Sequence, residues 1–321
     1  MIDILVGFAL LASAITSNKI VLCFLQPTFF VAIRMLAAGT MLAIASAISG
    51  VFLGKNTIRH WLHEHATIMR SYGWRFFFIS IAITVIPSLC KAYALSIMPS
   101  YKMAALGSLD PFITAIYAYI LFGERLTKKR FAGIVCGLIG MSILIASTTP
   151  LESVTNTWWI LSYAEIAMLL AVATGRYGWT LGQVYLKKQV IKPLEFNAYI
   201  MIFGGLISAV MTIFEGPSAY TMIKPVTGLF WATMAYTIII GNGFAYTMYA
   251  QVLKRYSASL VSLASLSVPL FVSFFGYIFL QEIPSLYFFG ALLLFAIGLL
   301  VLYRDEKIMQ KNAKRHKLLH K

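Results

Sequence analysis

The sequence predicts an all-α polytopic membrane protein: ten transmembrane helices in two inverted five-helix repeats, with both termini cytoplasmic. Three observations carry this expectation. Of 321 residues, 60% are hydrophobic and only 12% charged, half of the roughly 25% that a soluble domain uses to cover its surface. Apolar runs close to the roughly 20 residues that cross a bilayer fill most of the chain. The stretch from Pro99 to Gly140 also recurs, with Pro111, Glu124 and Gly140 returning as Pro269, Glu282 and Gly298 at one constant spacing. The longest polar interruption, Gly50 to Tyr72, is too short for a soluble domain of about 50 residues.

Taken in order, the spans fall at about 3–24, 28–49, 74–97, 100–122, 130–148, 159–186, 195–214, 228–250, 257–280 and 285–303. The first is read as a retained helix rather than a cleaved signal, because Asp3 stands where a basic residue belongs and the apolar run continues to Phe24. Pro27, Pro99, Pro150, Pro193, Pro217, Pro225 and Pro284 lie at or near span ends, where a missing N–H costs least. The fifth span carries Gly133, Gly137 and Gly140, a spacing that lets helix backbones approach closely in lipid. Within spans, Pro87, Pro111 and Pro269 free the carbonyls of Ile83, Gly107 and Ser265. Freed carbonyls allow a bend, the simpler reading, or hold a ligand. Gly241-Asn242-Gly243 makes a similar soft point in the eighth span, and Ser259, Ser262 and Ser265 give the ninth a small polar face.

Lysine and arginine set the orientation. They cluster in the loops after the second, fourth, sixth and eighth spans and in the tail from Arg304, while the opposite loops are nearly free of them apart from Lys224. The net charge of +15 therefore belongs to membrane orientation, and nucleic acid is excluded as a partner. Residues 1–149 and 158–303 form the two halves, followed by a basic cytoplasmic tail, 304–321. An odd number of spans separates the copies, which inverts one relative to the other. Pro27, Phe30 and Gly39 match Pro193, Phe196 and Gly205 more weakly. Inverted halves around a midplane site are the architecture of many secondary transporters. Cys23, Cys90 and Cys136 lie in or beside apolar runs as packing residues. His60, His63 and His65 lie in the polar loop and fit no zinc spacing.

The segments KAYALSIMPSYKMAALGSLDPFITAIYAYILFGERLTKKRFAGIVCGLIG and YAQVLKRYSASLVSLASLSVPLFVSFFGYIFLQEIPSLYFFGALLLFAIG resemble the two EamA repeats of the drug/metabolite transporter superfamily. The shared features are Pro111 and Pro269 in mid-span, Glu124 and Glu282 before the next span, and the glycines beyond. Arg34 resembles an arginine common in the second span of that family; Ile200 stands at the matching place in the second half, and Gln281-Glu282 replaces Gly-Glu. The resemblance implies a ten-helix carrier of the cell (inner) membrane for a small organic metabolite. Substrates in the family range from amino acids to nucleotide-linked compounds and cofactors.

Ionisable groups inside spans cost at least about 2.5 kcal/mol each near the centre, so they are candidates for function by default. The chain has Lys19, Arg34, Lys91, Lys102, Asp110, Glu165 and Arg176. Five cations face two acids, so some pair, with Asp110 expected to meet Lys91, Lys102 or Arg176. The surplus suits a carboxylate or phosphate. Snorkelling or structural pairing is the plainer role for Lys19 and Lys102. Asn242, Tyr246 and Tyr249 share one helix face, and Trp179 with the two tyrosines offers stacking surface for a flat ring. Glu124 and Glu282 are read as caps of the helices that follow them. Candidate substrate-binding or translocation residues are thus Arg34, Lys91, Lys102, Asp110, Glu165, Arg176, Trp179, Asn242, Tyr246 and Tyr249.

No phosphate-binding loop, nucleophile elbow or potassium-filter sequence occurs. The expectation is a carrier and not an enzyme, needing no cofactor or metal and driven by exchange or a proton gradient. Its partners are a small-molecule solute and the bilayer. An adenosyl or amino-acid-like solute, S-adenosylmethionine among them, would use both charge signs and the aromatics. Export of amino acids or toxic compounds is the alternative, a non-transporting membrane partner or enzyme the remote one, and self-association is left open.

Overall fold

The computed structural model describes residues 2–50, 58–122, 127–145, 157–158, 161–255, 265 and 267–319. Helices account for almost all of them. In chain order they are α1 (Ile2–Leu22), α2 (Pro27–Ile48), α3 (Ile58–Ser80), α4 (Ile86–Ile97), α5 (Ser100–Gly107), α6 (Asp110–Phe122) and α7 (Lys128–Ile145). After a two-strand hairpin, β1 (Thr157–Trp158) and β2 (Leu161–Ser162), come α8 (Tyr163–Lys187), α9 (Pro193–Glu215), α10 (Gly228–Tyr236), α11 (Tyr246–Arg255), α12 (Ser267–Leu280) and α13 (Leu286–Leu319).

Four stretches among the described residues are long and apolar enough to cross a membrane: Pro27–Ile48, Arg59–Ile97, Pro193–Glu215 and Gly228–Val252. Large apolar side chains such as Phe214, Phe279 and Leu286 point outward, an arrangement that lipid accepts and water would not. Inside, Phe30, Phe76, Phe196, Phe230, Phe288 and Phe295 are fully buried.

The helix over the expected third span is longer than the sequence suggests. Helix starts at Ile58, inside the polar interruption, and runs through a π-helical turn (Ile81–Val85) into α4. Polar residues do not stop it because they share its outer face: Arg59, His60, His63, Glu64 and Arg70 are exposed, whereas His65 and Phe76 are buried. His65 is accordingly no loop histidine, and its Nδ1 meets the Tyr199 hydroxyl on α9. The tail likewise continues α13 as helical backbone to Leu319.

Proline and glycine shape the interior. The π-helical turn at Ile81–Val85 lies just ahead of Pro87. A longer π-helical stretch, Thr237–Ala245, contains Gly241-Asn242-Gly243 and joins α10 to α11. The stretch expected as the fourth span is broken rather than bent: α5 ends at Gly107 and α6 restarts at Asp110. Pro111 has no N–H for the Gly107 carbonyl, and the Phe112 N–H turns to Leu109 instead. Ser259, Ser262 and Glu124, for which roles were expected, lie outside the described residues.

Two helix pairs make close, reciprocal crossings. Where α2 meets α9, a Cβ on Gly39 would lie 2.8 Å from the Ile202 backbone nitrogen, and one on Gly205 would lie 2.8 Å from that of Leu36. Where α7 meets α13, a Cβ on Gly140 would lie 3.1 Å from the Ala291 carbonyl oxygen, and one on Gly298 would lie 2.7 Å from that of Gly133. In each crossing the contacting residues occupy matching positions of the aligned segments. Lipid offers no hydrophobic force between helices, so such small-residue contacts supply the van der Waals attraction that holds them.

Candidate functional site

A cavity of about 220 Å³ lies between α1, α2, α4, the broken α5–α6 segment, α8, the Gly241-Asn242 π-helical stretch, α11 and α12. Its walls are mixed. Phe8, Phe30, Trp179, Tyr246 and Tyr249 give it aromatic surface, while Asn18, Arg34, Ser88, Lys91, Ser108, Asp110 and Arg176 give it polar atoms.

Eight of the ten expected residues line this space: Arg34, Lys91, Asp110, Arg176, Trp179, Asn242, Tyr246 and Tyr249. They come from six helical segments, and only packing brings them together. Arg176 Nη2 sits 3.6 Å from Asp110 Oδ2, and its Nη1 donates to the Tyr249 hydroxyl at 3.2 Å. Asp110 keeps 37% of its side chain exposed although its partner Arg176 is buried. Trp179 packs edge-on against Tyr249, with ring centroids 5.1 Å apart, and 6.4 Å from Tyr246. The buried Asn242 spends its Nδ2 on the Met35 sulfur at 3.3 Å, a weak acceptor.

Arg34 and Lys91 differ from Arg176. No acidic side chain among the described residues pairs with either. Arg34 is buried, rests its guanidinium 4.8 Å from the centre of the Phe30 ring, and leaves Nε without a hydrogen-bond partner. Ring and burial hold the cation in place but do not neutralise it. An unneutralised cation in a low-dielectric wall attracts an anion far more strongly than one in water.

Lys102 and Glu165 are absent from the cavity wall. They form a buried pair, Nζ to Oε1 2.9 Å, with side chains 1% and 3% exposed. The other carboxylate oxygen accepts the Ser162 N–H at 2.8 Å, and the Ser162 hydroxyl accepts the Glu165 N–H at 3.2 Å. This is a capping box that starts α8, and its carboxylate also holds α5.

Glu282 departs from its expected role as a cap for the helix that follows it. Its Oε1 takes the Lys19 ammonium at 2.6 Å, and its Oε2 takes the Ser100 N–H at 2.8 Å and hydroxyl at 2.5 Å. It therefore caps α5, a helix distant in sequence. The chain doubles back at Gln281, at φ 56°, and directs the carboxylate there, with the Glu282 N–H on Gly276 O. Lys19 also donates to Met98 O at 2.7 Å. Lys19 and Glu282, with Lys102 and Glu165, thus tie α1, α5, α8 and the turn before α13 together at one end of the cavity.

Asn18 and Ser108 contribute to the cavity although neither carries charge. Their Oδ1 and Oγ atoms are buried without hydrogen-bond partners. The signal for Asn18 was a single amide on the stripe Phe8, Leu11, Ile15, Asn18, Leu22, all of which line the cavity. A search confined to ionisable groups passes over it.

Helices with outward apolar surface around a cavity of mixed charged and aromatic walls are the build of a membrane protein with an internal polar space. The chain belongs to the EamA-like transporter family, whose model matches residues 1–146 and 162–304. Members are multi-pass proteins of the cell membrane, and the family is one of transporters, not enzymes. Over 207 residues the chain is 30% identical to the S-adenosylmethionine/S-adenosylhomocysteine transporter of Chlamydia muridarum (strain MoPn / Nigg), covering 64% of this chain and 63% of that one. The same-named protein of Chlamydia trachomatis serovar L2 is 29% identical over 195 residues, covering 60% and 57%. The matched stretch thus spans less than two thirds of those relatives' own length. The riboflavin transporter of Brucella anthropi is 27% identical over 219 residues, covering 67% and 71%. A solved crystal structure shares the fold at a TM-score of 0.58 and 20% identity, covering 94% of this chain and 96% of that one.

Proposed function

We propose that this protein is a secondary transporter that carries a small polar metabolite with an anionic group across the cell membrane, by exchange or proton coupling. One observation carries the reading: Arg34 and Lys91 line the cavity with no acidic partner among the described residues, beside the Trp179, Tyr246 and Tyr249 rings. The cations receive the carboxylate or phosphate of the solute, Arg34 being suited to bidentate contact. The aromatic wall receives a flat ring. Arg176 holds Asp110 in the cavity, where its carboxylate meets a cationic group or exchanges a proton.

S-adenosylmethionine is the leading candidate, because it carries a carboxylate, cationic centres and an adenine ring, and because relatives bear that name. Transport proceeds by rocking one half of the chain, 1–149, against the other, 158–303, around the fixed cavity. The reciprocal crossings at Gly39–Gly205 and Gly140–Gly298 support this two-half reading. With basic loops inside, the ion pairs of Lys19 and Lys102 lie at the external end and close it.

The test is counterflow of labelled S-adenosylmethionine, riboflavin and amino acids into proteoliposomes. One solute should accumulate above protein-free liposomes, and Arg34→Gln or Lys91→Gln should lower its uptake at least about tenfold, as expected when a charged hydrogen bond is lost. Unchanged uptake in both variants would remove the cations from the mechanism.

A further inference from the structure

The break in the fourth span exposes more than the charge of Asp110. Four oxygen acceptors stand at or beside it in the cavity wall. The Gly107 carbonyl receives nothing from Pro111, because proline has no N–H. Ser108 Oγ is buried and bonds to nothing, although a serine in a helix usually returns its hydroxyl to the preceding turn. Asn18 Oδ1, on α1 which packs against α5, is buried and unpartnered as well. Among the described residues the Asp110 carboxylate pairs with the edge of Arg176, at 3.6 Å, and it stays partly open. Gly107, Ser108, Asp110 and Asn18 all line the cavity.

Buried acceptors without donors, such as Ser108 Oγ and Asn18 Oδ1, are costly, and they persist where a ligand or water completes them. Gly107 and Asp110 offer only lone pairs there, and the complementary group is one with several N–H donors and a positive charge. A primary ammonium has three donors and no acceptor. Arg34 and Lys91, on α2 and α4, present the opposite chemistry.

We propose that Asn18, the Gly107 carbonyl, Ser108 and Asp110 form an acceptor subsite for the primary ammonium of an amino-acid-like solute, whose carboxylate goes to Arg34 and Lys91. The inference rests on the transport reading and narrows it to solutes with a free α-amino group. Ser108 and Asn18 are then specificity-determining residues.

The experiment measures binding to the purified full chain by ligand-induced thermal stabilisation and competition. The probes are methionine, S-adenosylmethionine and S-adenosylhomocysteine, each against its N-acetyl derivative, which keeps the carboxylate and loses the ammonium. The amino form of at least one pair should bind about tenfold tighter or more. Ser108→Ala and Asn18→Leu should shrink that ratio to within about threefold, while Asn18→Asp, which keeps the acceptor, should preserve it. Melting of each variant without ligand separates loss of fold from loss of preference. Equal binding of both members of every pair, or a ratio that Ser108→Ala and Asn18→Leu leave unchanged, overturns the subsite. If N-acetyl forms bind and are carried in counterflow, transport stands and the subsite falls. If no probe binds and no counterflow occurs, both fall.

Discussion

Lys102 and Glu165 show how burial decides the role of a charge. Each alone would be intolerable at 1% and 3% exposure, yet at 2.9 Å the two satisfy one another. Removing one partner of such a pair costs about 3–5 kcal/mol, whereas replacing both by apolar residues is often neutral. Lys102→Met should therefore lower the melting temperature of the purified protein sharply, and Lys102→Met with Glu165→Met should recover most of it. Equal loss in single and double variants would contradict a purely structural pair. Asp110 and Arg176 differ because their carboxylate faces the cavity. Asp110→Asn should change the pH dependence of uptake if that carboxylate carries protons, and an unaltered pH profile would remove it from coupling.

At the scale of elements, glycine sets how near helices come and proline sets where they open. Gly205 lies so close to α2 that a methyl group would meet the Leu36 nitrogen at 2.8 Å, tighter than packed atoms tolerate. Gly205→Ala should cost about 1–3 kcal/mol through overpacking, read as a lower unfolding midpoint, while Gly290→Ala, whose Cβ would meet no neighbouring element within 4 Å, should not lower it. The turn at Gln281 has the opposite effect and carries a charge to a distant helix. Glu282→Gln removes the ionic contact to Lys19 and weakens the bond to Ser100, at about 1.5–3 kcal/mol. Lys19→Glu combined with Glu282→Lys should restore part of the uptake that either single change abolishes. Failure of the exchanged pair would show that the cap on α5, and not the ion pair, is what matters.

At the scale of the whole molecule, the distribution of lysine and arginine predicts that both termini are cytoplasmic. Tags at either end should resist protease added outside intact cells, and cleavage at one end only would change the number of spans. How much of the protein was readable follows from the physics of each signal. Hydropathy marked the apolar stretches because a bilayer imposes length and composition locally. Pro87, Pro111 and the Gly241-Asn242-Gly243 stretch marked the irregular places because a missing N–H or Cβ acts on its own turn. Charge inside the spans, the shared face of Asn242, Tyr246 and Tyr249, and the ring of Trp179 marked ten candidates, and eight of them line one cavity. The partners were not readable. That Glu282 serves Lys19 and Ser100, that Glu165 meets Lys102, and that Asn18 and Ser108 are left without donors all depend on which helices touch. By itself the sequence determined a helical membrane protein, because burial in lipid is a property of each segment. Only the tertiary structure decided which charges cancel and which remain open in the cavity, because a charge takes its meaning from neighbours a few ångströms away, often from a distant part of the chain.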